Sequence, residues 1–479
     1  MKEKNSYLIK NTVIFAISSF GTKFLSFFMI PLYTNILSTS DYGIADLITT
    51  TGTLLIFVCT INIADSVLRF SIDEKCNDKE AILSFGLRVL VVGSLVVCFI
   101  LSVIYKFKIL NWPVQYYIFI WLYFIFVALN QILSNYLRAI DKVKEVAVAG
   151  ILSSLFIILG NVVFLLIIKW GIVGYLISLI LGPLISCIYS FTKIGCTFKI
   201  LVNSVCERKV KYDMILYCAP LIFNNIALWI NAYLDRYFVT GMCGADQNGI
   251  YSAASKIPTI LSTCYSIFTQ AWTLSAIKEF DKDDKEGFFS QTYNIYSALI
   301  VVVCSIIILF NIPLAKILYA KDFFIAWRSS SILLLSVMFN AFTAFLGSVF
   351  GAVKKTNIIA YTTIFSAVIN IVLNVLLIAK WRIQGAAIAT VVAYVVMWAI
   401  RLVVIKKYIH LKLNLVRDCL AYSLLVIQVI LEHYQSHLYI GQIVIFVIVL
   451  CIYRKYLIEI INVLLKTLKQ KVGKNNAAD

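Results

Sequence analysis

Two stretches of this chain, LVVGSLVVCFILSVIY (90–105) and LIVVVCSIIILF (299–310), are apolar without interruption. In lipid, every backbone N–H and C=O must find its partner within the spanning structure, which leaves only helices and closed barrels. Barrel strands alternate apolar and polar residues over segments of about ten residues. These runs do not alternate, so the chain reads as an all-α integral membrane protein. The composition agrees, at 61% hydrophobic and 14% charged over 479 residues, where soluble domains have about half and a quarter.

A window of about 19 residues predicts helices near 11–34, 43–68, 81–105, 113–137, 146–168, 171–195, 213–240, 249–277, 289–310, 325–350, 358–379, 383–405, 417–434 and 438–458. That makes about fourteen transmembrane helices. The first is expected to stay as a helix, since its length exceeds the signal-peptide core of about 7 to 15 residues. With the N-terminus inside, the inner connections carry 30 of the 42 Lys and Arg and the outer ones 8. This positive-inside asymmetry predicts two cytoplasmic termini in a cytoplasmic membrane, and it accounts for the net charge of +18 without a nucleic-acid partner.

Between the first two predicted helices lies a polar island, PLYTNILSTSDYGIADL (31–47). Its Ser, Asp and Gly residues suit a tight turn, with Gly43 taking a positive φ. The island has an echo in FVTGMCGADQNGIYSAASKI (238–257), where Gly249-Ile250 follows Gly43-Ile44 by 206 residues. A second echo pairs IIKWGIVG (167–174) with IAKWRIQG (378–385), 211 residues apart. Two echoes at nearly one offset imply a repeat of six helices. Six is even, so the copies enter the membrane in the same direction. The expected organisation is an N-terminal lobe (1–197), a cytoplasmic linker (198–212), a C-terminal lobe (213–407), and helices 13 and 14 with a basic tail (408–479).

PLYTNILSTSDYGIADL, DSVLRFSIDE (65–74), NGIYSAASKI (248–257) and INIVLNVLLIAKWRIQGAAIATVVAYVV (369–396) together resemble the polysaccharide-transporter branch of the multidrug/oligosaccharidyl-lipid/polysaccharide exporter superfamily. That branch includes the Wzx-type oligosaccharide flippases, and the resemblance covers roughly residues 8 to 405. It implies two six-helix lobes around a central cavity, alternating access, and an undecaprenyl-diphosphate-linked oligosaccharide of O-antigen or capsule as cargo. It also implies a polysaccharide polymerase and glycosyltransferases as partners.

Catalytic chemistry is sparse. The twelve cysteines include no C-x-x-C pair, the three histidines (His410, His433, His437) gather near the last helices, and no P-loop is present. No enzyme activity, cofactor or metal is expected. What remains is charge within the predicted helices: Lys23, Arg88, Arg236 and Lys256. At about 2.5 to 3.5 kcal/mol each, such cations do not face lipid at the midplane. Lys23 lies about 18 Å into helix 1 at 1.5 Å per residue, near the bilayer centre. With Arg69 of the resembling LRF stretch, these residues form a candidate cationic path for a lipid-linked diphosphate. Arg69 and Arg88 would sit toward the cytoplasm, Lys23 at the centre, and Arg236 and Lys256 toward the outside. Asp65 and Asp235 are candidate ion-coupling groups or charge partners. A multidrug exporter of the same superfamily would want acidic residues for cationic drugs, and a peptidoglycan-precursor (lipid II) flippase would differ only in cargo. GSVFG (347–351) reads as a close helix-packing motif.

Overall fold

The computed structural model describes residues 27–73, 78–109, 111–195, 206–278, 280–281, 283–285, 287–434 and 439–475. Among these residues the chain is helical throughout, without a strand. Nine helices among the described residues are long and apolar enough to cross a membrane. Their outward faces carry large exposed apolar side chains, such as Val91, Leu95 and Phe99, as a lipid-facing helix requires. The chain is therefore an all-α integral membrane protein.

Contacts divide the described residues into two compact units. The first runs to Ser252 and adds Leu318–Phe323; the second comprises Ala253–Ile317 and everything from Phe324 onward.

The first unit contains α1 (Ile30–Ile36), α2 (Thr39–Cys59), α3 (Ile63–Ile72), α4 (Lys79–Lys106), α5 (Val114–Ala139), α6 (Val143–Asn161) with a π turn (Val162–Ile167), α7 (Gly171–Ile194) and α8 (Arg208–Cys243). It also holds nearly all of α9 (Ala245–Ala254). Ile48, Ile63, Val67, Leu83, Phe124 and Ile132 meet in its apolar core.

The polar island is more compact than the sequence suggests. Ser38 is the N-cap of α2: its Oγ accepts from the Asp41 N–H at 3.1 Å and donates to the Asp41 carboxylate at 2.8 Å. The cap satisfies a backbone donor that would otherwise be orphaned at the helix start. Only Leu37 and Ser38 separate α1 from α2, and Gly43 lies inside the helix without a positive φ. The turn glycine of the second echo is instead Gly244, at φ 96°.

Two helices predicted as continuous are broken. The stretch 43–68 divides at Ile61 and Asn62, both left-handed with φ 52° and 55°. The stretch 249–277 divides before Pro258, which opens α10 (Pro258–Lys278). Proline lacks the N–H that a continuing helix would need, and it is favoured in a first turn.

The second unit continues with α11 (Phe288–Leu309), α12 (Asn311–Leu318, its last residue belonging to the first unit), the end of a 3-10 segment (Lys321–Ala326, its first three residues belonging to the first unit), α13 (Trp327–Ala352), α14 (Thr356–Ile405), α15 (Leu415–His433) and α16 (Tyr439–Asn475). Its centre is α11 and α13, each 72% buried across its apolar window. Rings fill that core, with Trp272 stacked on Phe345 and Phe268 on Tyr296, centroids 4.3 Å apart in both pairs. Helix α14 joins the two helices predicted at 358–379 and 383–405 through a kink at Arg382 (φ 50°, ψ −131°).

Candidate functional site

The most charged interior of the first unit lies where α2, α8 and α9 meet. The Arg236 guanidinium on α8 forms an ion pair with Asp46 on α2, and the two side chains are 10% and 8% exposed. Ser252 donates to the same Asp46 oxygen at 2.8 Å. Asp235 does not face Arg236 across the helix. It accepts the Arg236 backbone N–H at 2.9 Å and the hydroxyl of Tyr251. The Tyr233 ring covers the guanidinium with its centroid 4.9 Å from Cζ. Asp46 Oδ2 and Arg236 Nε are both shut off from the surface without a hydrogen bond among the described residues.

Beside this cluster two helices touch backbone to backbone. A Cβ on Gly43 would stand 2.1 Å from the Ala245 carbonyl oxygen, and one on Gly249 would stand 1.8 Å from that of Thr39. The two clashes are counterparts under the 206-residue echo, since Gly43 and Thr39 correspond to Gly249 and Ala245. Asp46 and Ser252, 206 residues apart and hydrogen-bonded to each other, also correspond. Asn248 donates to the Gly43 carbonyl at 2.9 Å and Thr39 to Asp246 at 3.5 Å. The contact is thus reciprocal in the manner of a two-fold interface.

The remaining candidates are dispersed. Asp65 and Arg69 share the short helix α3. Asp65 accepts amide hydrogens from Asn62 at 2.7 Å and Asn135 at 3.5 Å, while Arg69 is exposed. Arg138 donates to the Asn135 carbonyl at 3.3 Å, joining that network from α5. Arg88 is exposed on α4. Lys256 is half-buried in the break between α9 and α10, and it belongs to the second unit. Lys23 lies outside the described residues.

Buried charges that escaped the sequence reading include Asp46, Arg401 and Glu432. Asp46 was hidden in a polar island where acidic residues look solvated. Arg401, 5% exposed, was counted among the connection cations, yet it lies inside α14. It donates to the Thr362 and Thr363 hydroxyls at 3.0 Å each and to the Thr343 carbonyl at 2.8 Å. Glu432 is buried on α15 and accepts from Asn311 at 2.7 Å. Among the described residues no group of His, Cys, Asp and Glu is arranged to hold a metal ion.

Solved structures share this fold. The lipid II flippase MurJ in an inward closed conformation matches with a TM-score of 0.70 at 17% identity, over 94% of this chain and 99% of that one. An inward-facing multidrug resistance MATE transporter of the MOP superfamily matches at 0.61 and 14% identity, over 80% and 98%. The fold is thus that of the MOP-superfamily transporters. The chain belongs to the family of polysaccharide biosynthesis proteins, whose profile matches residues 8–274. An uncharacterized membrane protein of Methanocaldococcus jannaschii is 24% identical over 80% of this chain and 94% of its own length. A Shigella flexneri protein described as an O-antigen transporter is 24% identical over 57% and 64%. A Haloferax volcanii protein described as a low-salt glycan biosynthesis flippase is 22% identical over 46% of each chain.

Proposed function

We propose that this protein is a flippase, not an enzyme, that carries an undecaprenyl-diphosphate-linked oligosaccharide repeat unit from the inner to the outer leaflet by alternating access. The carrying observation is the family match over 8–274, joined by relatives described as a glycan flippase and an O-antigen transporter. On this reading the two echoes mark a parallel repeat, the lobes 1–197 and 213–407 rock against each other, and both termini are cytoplasmic. Glycosyltransferases would supply the cargo and a polymerase would consume it.

Arg236 gains a specific part. While the glycine contact holds, its charge is answered by Asp46; parting α2 from α9 and α8 would bare the guanidinium. A diphosphate then replaces the carboxylate, and Arg is suited to that exchange because its fork binds both groups in two parallel hydrogen bonds. Lys23 remains the proposed central station, with Arg69, Arg88 and Lys256 along the path. Asp65 and Asp235 remain proposed ion-coupling groups or charge partners.

The likeness to MurJ and to a MATE transporter supports two second readings, lipid II and drugs as cargo. A strain lacking its repeat-unit flippase separates all three. Surface polysaccharide should return with the wild-type chain. At matched membrane abundance it should fall strongly with Lys23→Ala, persist in good part with Lys23→Arg and be weakest with Lys23→Glu. Rescue of lipid II flippase depletion, or drug resistance without polysaccharide, would replace the cargo assignment.

A further inference from the structure

At the end of the second unit where α11 and α15 begin, a groove of 740 Å³ runs between the start of α11, the segment after α14 and the middle turns of α16. Ser290, Gln291, Asn294, Lys412, Lys455 and Glu459 supply its polar wall. An adjoining hollow of 540 Å³ shares Asn294, Lys412 and Tyr456 and extends along Leu413–Val416. Volumes of this order suit a ligand the size of a headgroup.

The groove is built of fixed parts. Asn294 accepts from Arg417 Nη2 at 2.7 Å, and Arg417 is bound to Asp418 at 2.7 Å. Its guanidinium lies against the rings of Tyr453 and Tyr456, 4.9 and 4.8 Å from their centroids. Ser290 Oγ donates to Asp284 and accepts the Lys412 N–H at 2.8 Å, which pins the loop. Glu459 is engaged by the Gln291 amide. Two charges are left over: neither the Lys412 nor the Lys455 ammonium has a hydrogen bond or ion pair among the described residues, and both are exposed. Lys406, Lys407 and Arg454 add further positive charge at the same end. Basic hollows between membrane helices near a surface are suited to anionic headgroups.

The shared chemistry is a phosphate-bearing anion, and the rim decides its source. Val416, lining the adjoining hollow with Lys412, is 75% exposed, and Ile458, lining the groove with Lys412 and Lys455, is 56% exposed. A soluble phosphate has no use for aliphatic side chains beside it, whereas a lipid lays its acyl chains along them. We propose that this groove holds an acidic membrane phospholipid, its phosphate against Lys412 and Lys455 and its chains over Val416 and Ile458. None of the groove residues is among the proposed cargo stations, and the proposal does not depend on which cargo is carried.

The test uses the full-length chain in detergent, with lipid retention read by native mass spectrometry and affinity by titration. The probes are phosphatidylglycerol, phosphatidylcholine and glycerol phosphate. Phosphatidylglycerol should bind and the other two should bind far more weakly. Lys412→Gln/Lys455→Gln should weaken phosphatidylglycerol about thirty-fold, since each cation near an anionic lipid is worth about a factor of five. Unfolding temperature without lipid should be unchanged, because both side chains are exposed. Lys406→Gln/Lys407→Gln removes the same charge outside the groove and should cost much less. Equal binding of phosphatidylcholine, or equal loss in the two double variants, would overturn the site. Equal binding of glycerol phosphate would overturn the lipid as its source.

Discussion

Asp46 and Arg236 show why charge in such a chain cannot be judged one residue at a time. Either alone would be costly in its nearly closed surroundings; together they share a hydrogen bond and leave one oxygen and one nitrogen unanswered. Removing one partner strands the other. Asp46→Asn should therefore destabilise the protein by about 3–5 kcal/mol, and Asp46→Asn combined with Arg236→Gln should lose less than the sum of the two single changes. Thermal unfolding of the purified variants measures this cycle, and strict additivity would mean the pair is not coupled. The sequence could point to Arg236, because a cation in an apolar helix stands out. It could not point to Asp46, which looks like one more polar residue of a turn. Arg401 was hidden in the opposite way, in the last turns of the helix predicted at 383–405 but counted with the connection that follows it. Its environment also reassigns a motif: a Cβ on Gly347 would lie 3.2 Å from Arg401 Nη1, so the first glycine of GSVFG makes room for a guanidinium.

Helices were legible wherever apolar runs were long, and their interruptions were legible only where a residue announced them. Pro258 marks the break before α10 and could have been read. In TINIAD, Asn62 is of a type that tolerates the left-handed region, but nothing distinguishes the β-branched Ile61 as left-handed too. The second echo carries more than it first showed. Gly171 and Arg382, its aligned positions, have φ of 56° and 50°, and at the aligned Gly174 and Gly385 a Cβ would stand 2.8 and 2.1 Å from the preceding helix. One half meets the backbone demand with glycine; the other forces an arginine into a region that glycine alone occupies without strain. Arg382→Gly should raise stability by about 1 kcal/mol, while Gly171→Ala, which has open space around it, should lower it by a similar amount through strain alone. Unfolding in detergent distinguishes the two signs, and a loss from Arg382→Gly would mean that its side chain earns more than its backbone costs.

At the scale of the molecule, the proposed alternating-access cycle would require the glycine contact to open and reform. Thr39 and Asp246 face each other across it with oxygens 3.5 Å apart, which makes Thr39→Cys/Asp246→Cys the natural clamp. Oxidation should stop export and reduction should restore it, read as surface polysaccharide in cells; undiminished export with the crosslink formed would show that the contact does not open in the cycle. The repeat is proposed from two short echoes, whereas the class of fold could be read from apolar runs, since it depends on pattern. The pairing of the glycines could not, because it depends on how far two distant helices approach.

That contact is symmetric in its backbone and lopsided in its chemistry. Counterparts of Asp235, Arg236 and Tyr251 in the first half, 206 positions earlier, are Met29, Ile30 and Ala45, none of which can carry a charge. On the proposed repeat, the arginine stands in one copy only, opposite an aspartate in the other. Two matched ion pairs would have put like charges side by side around the axis. A single mismatched pair closes the same surface without that repulsion, so the divergence of the halves is itself what lets them meet.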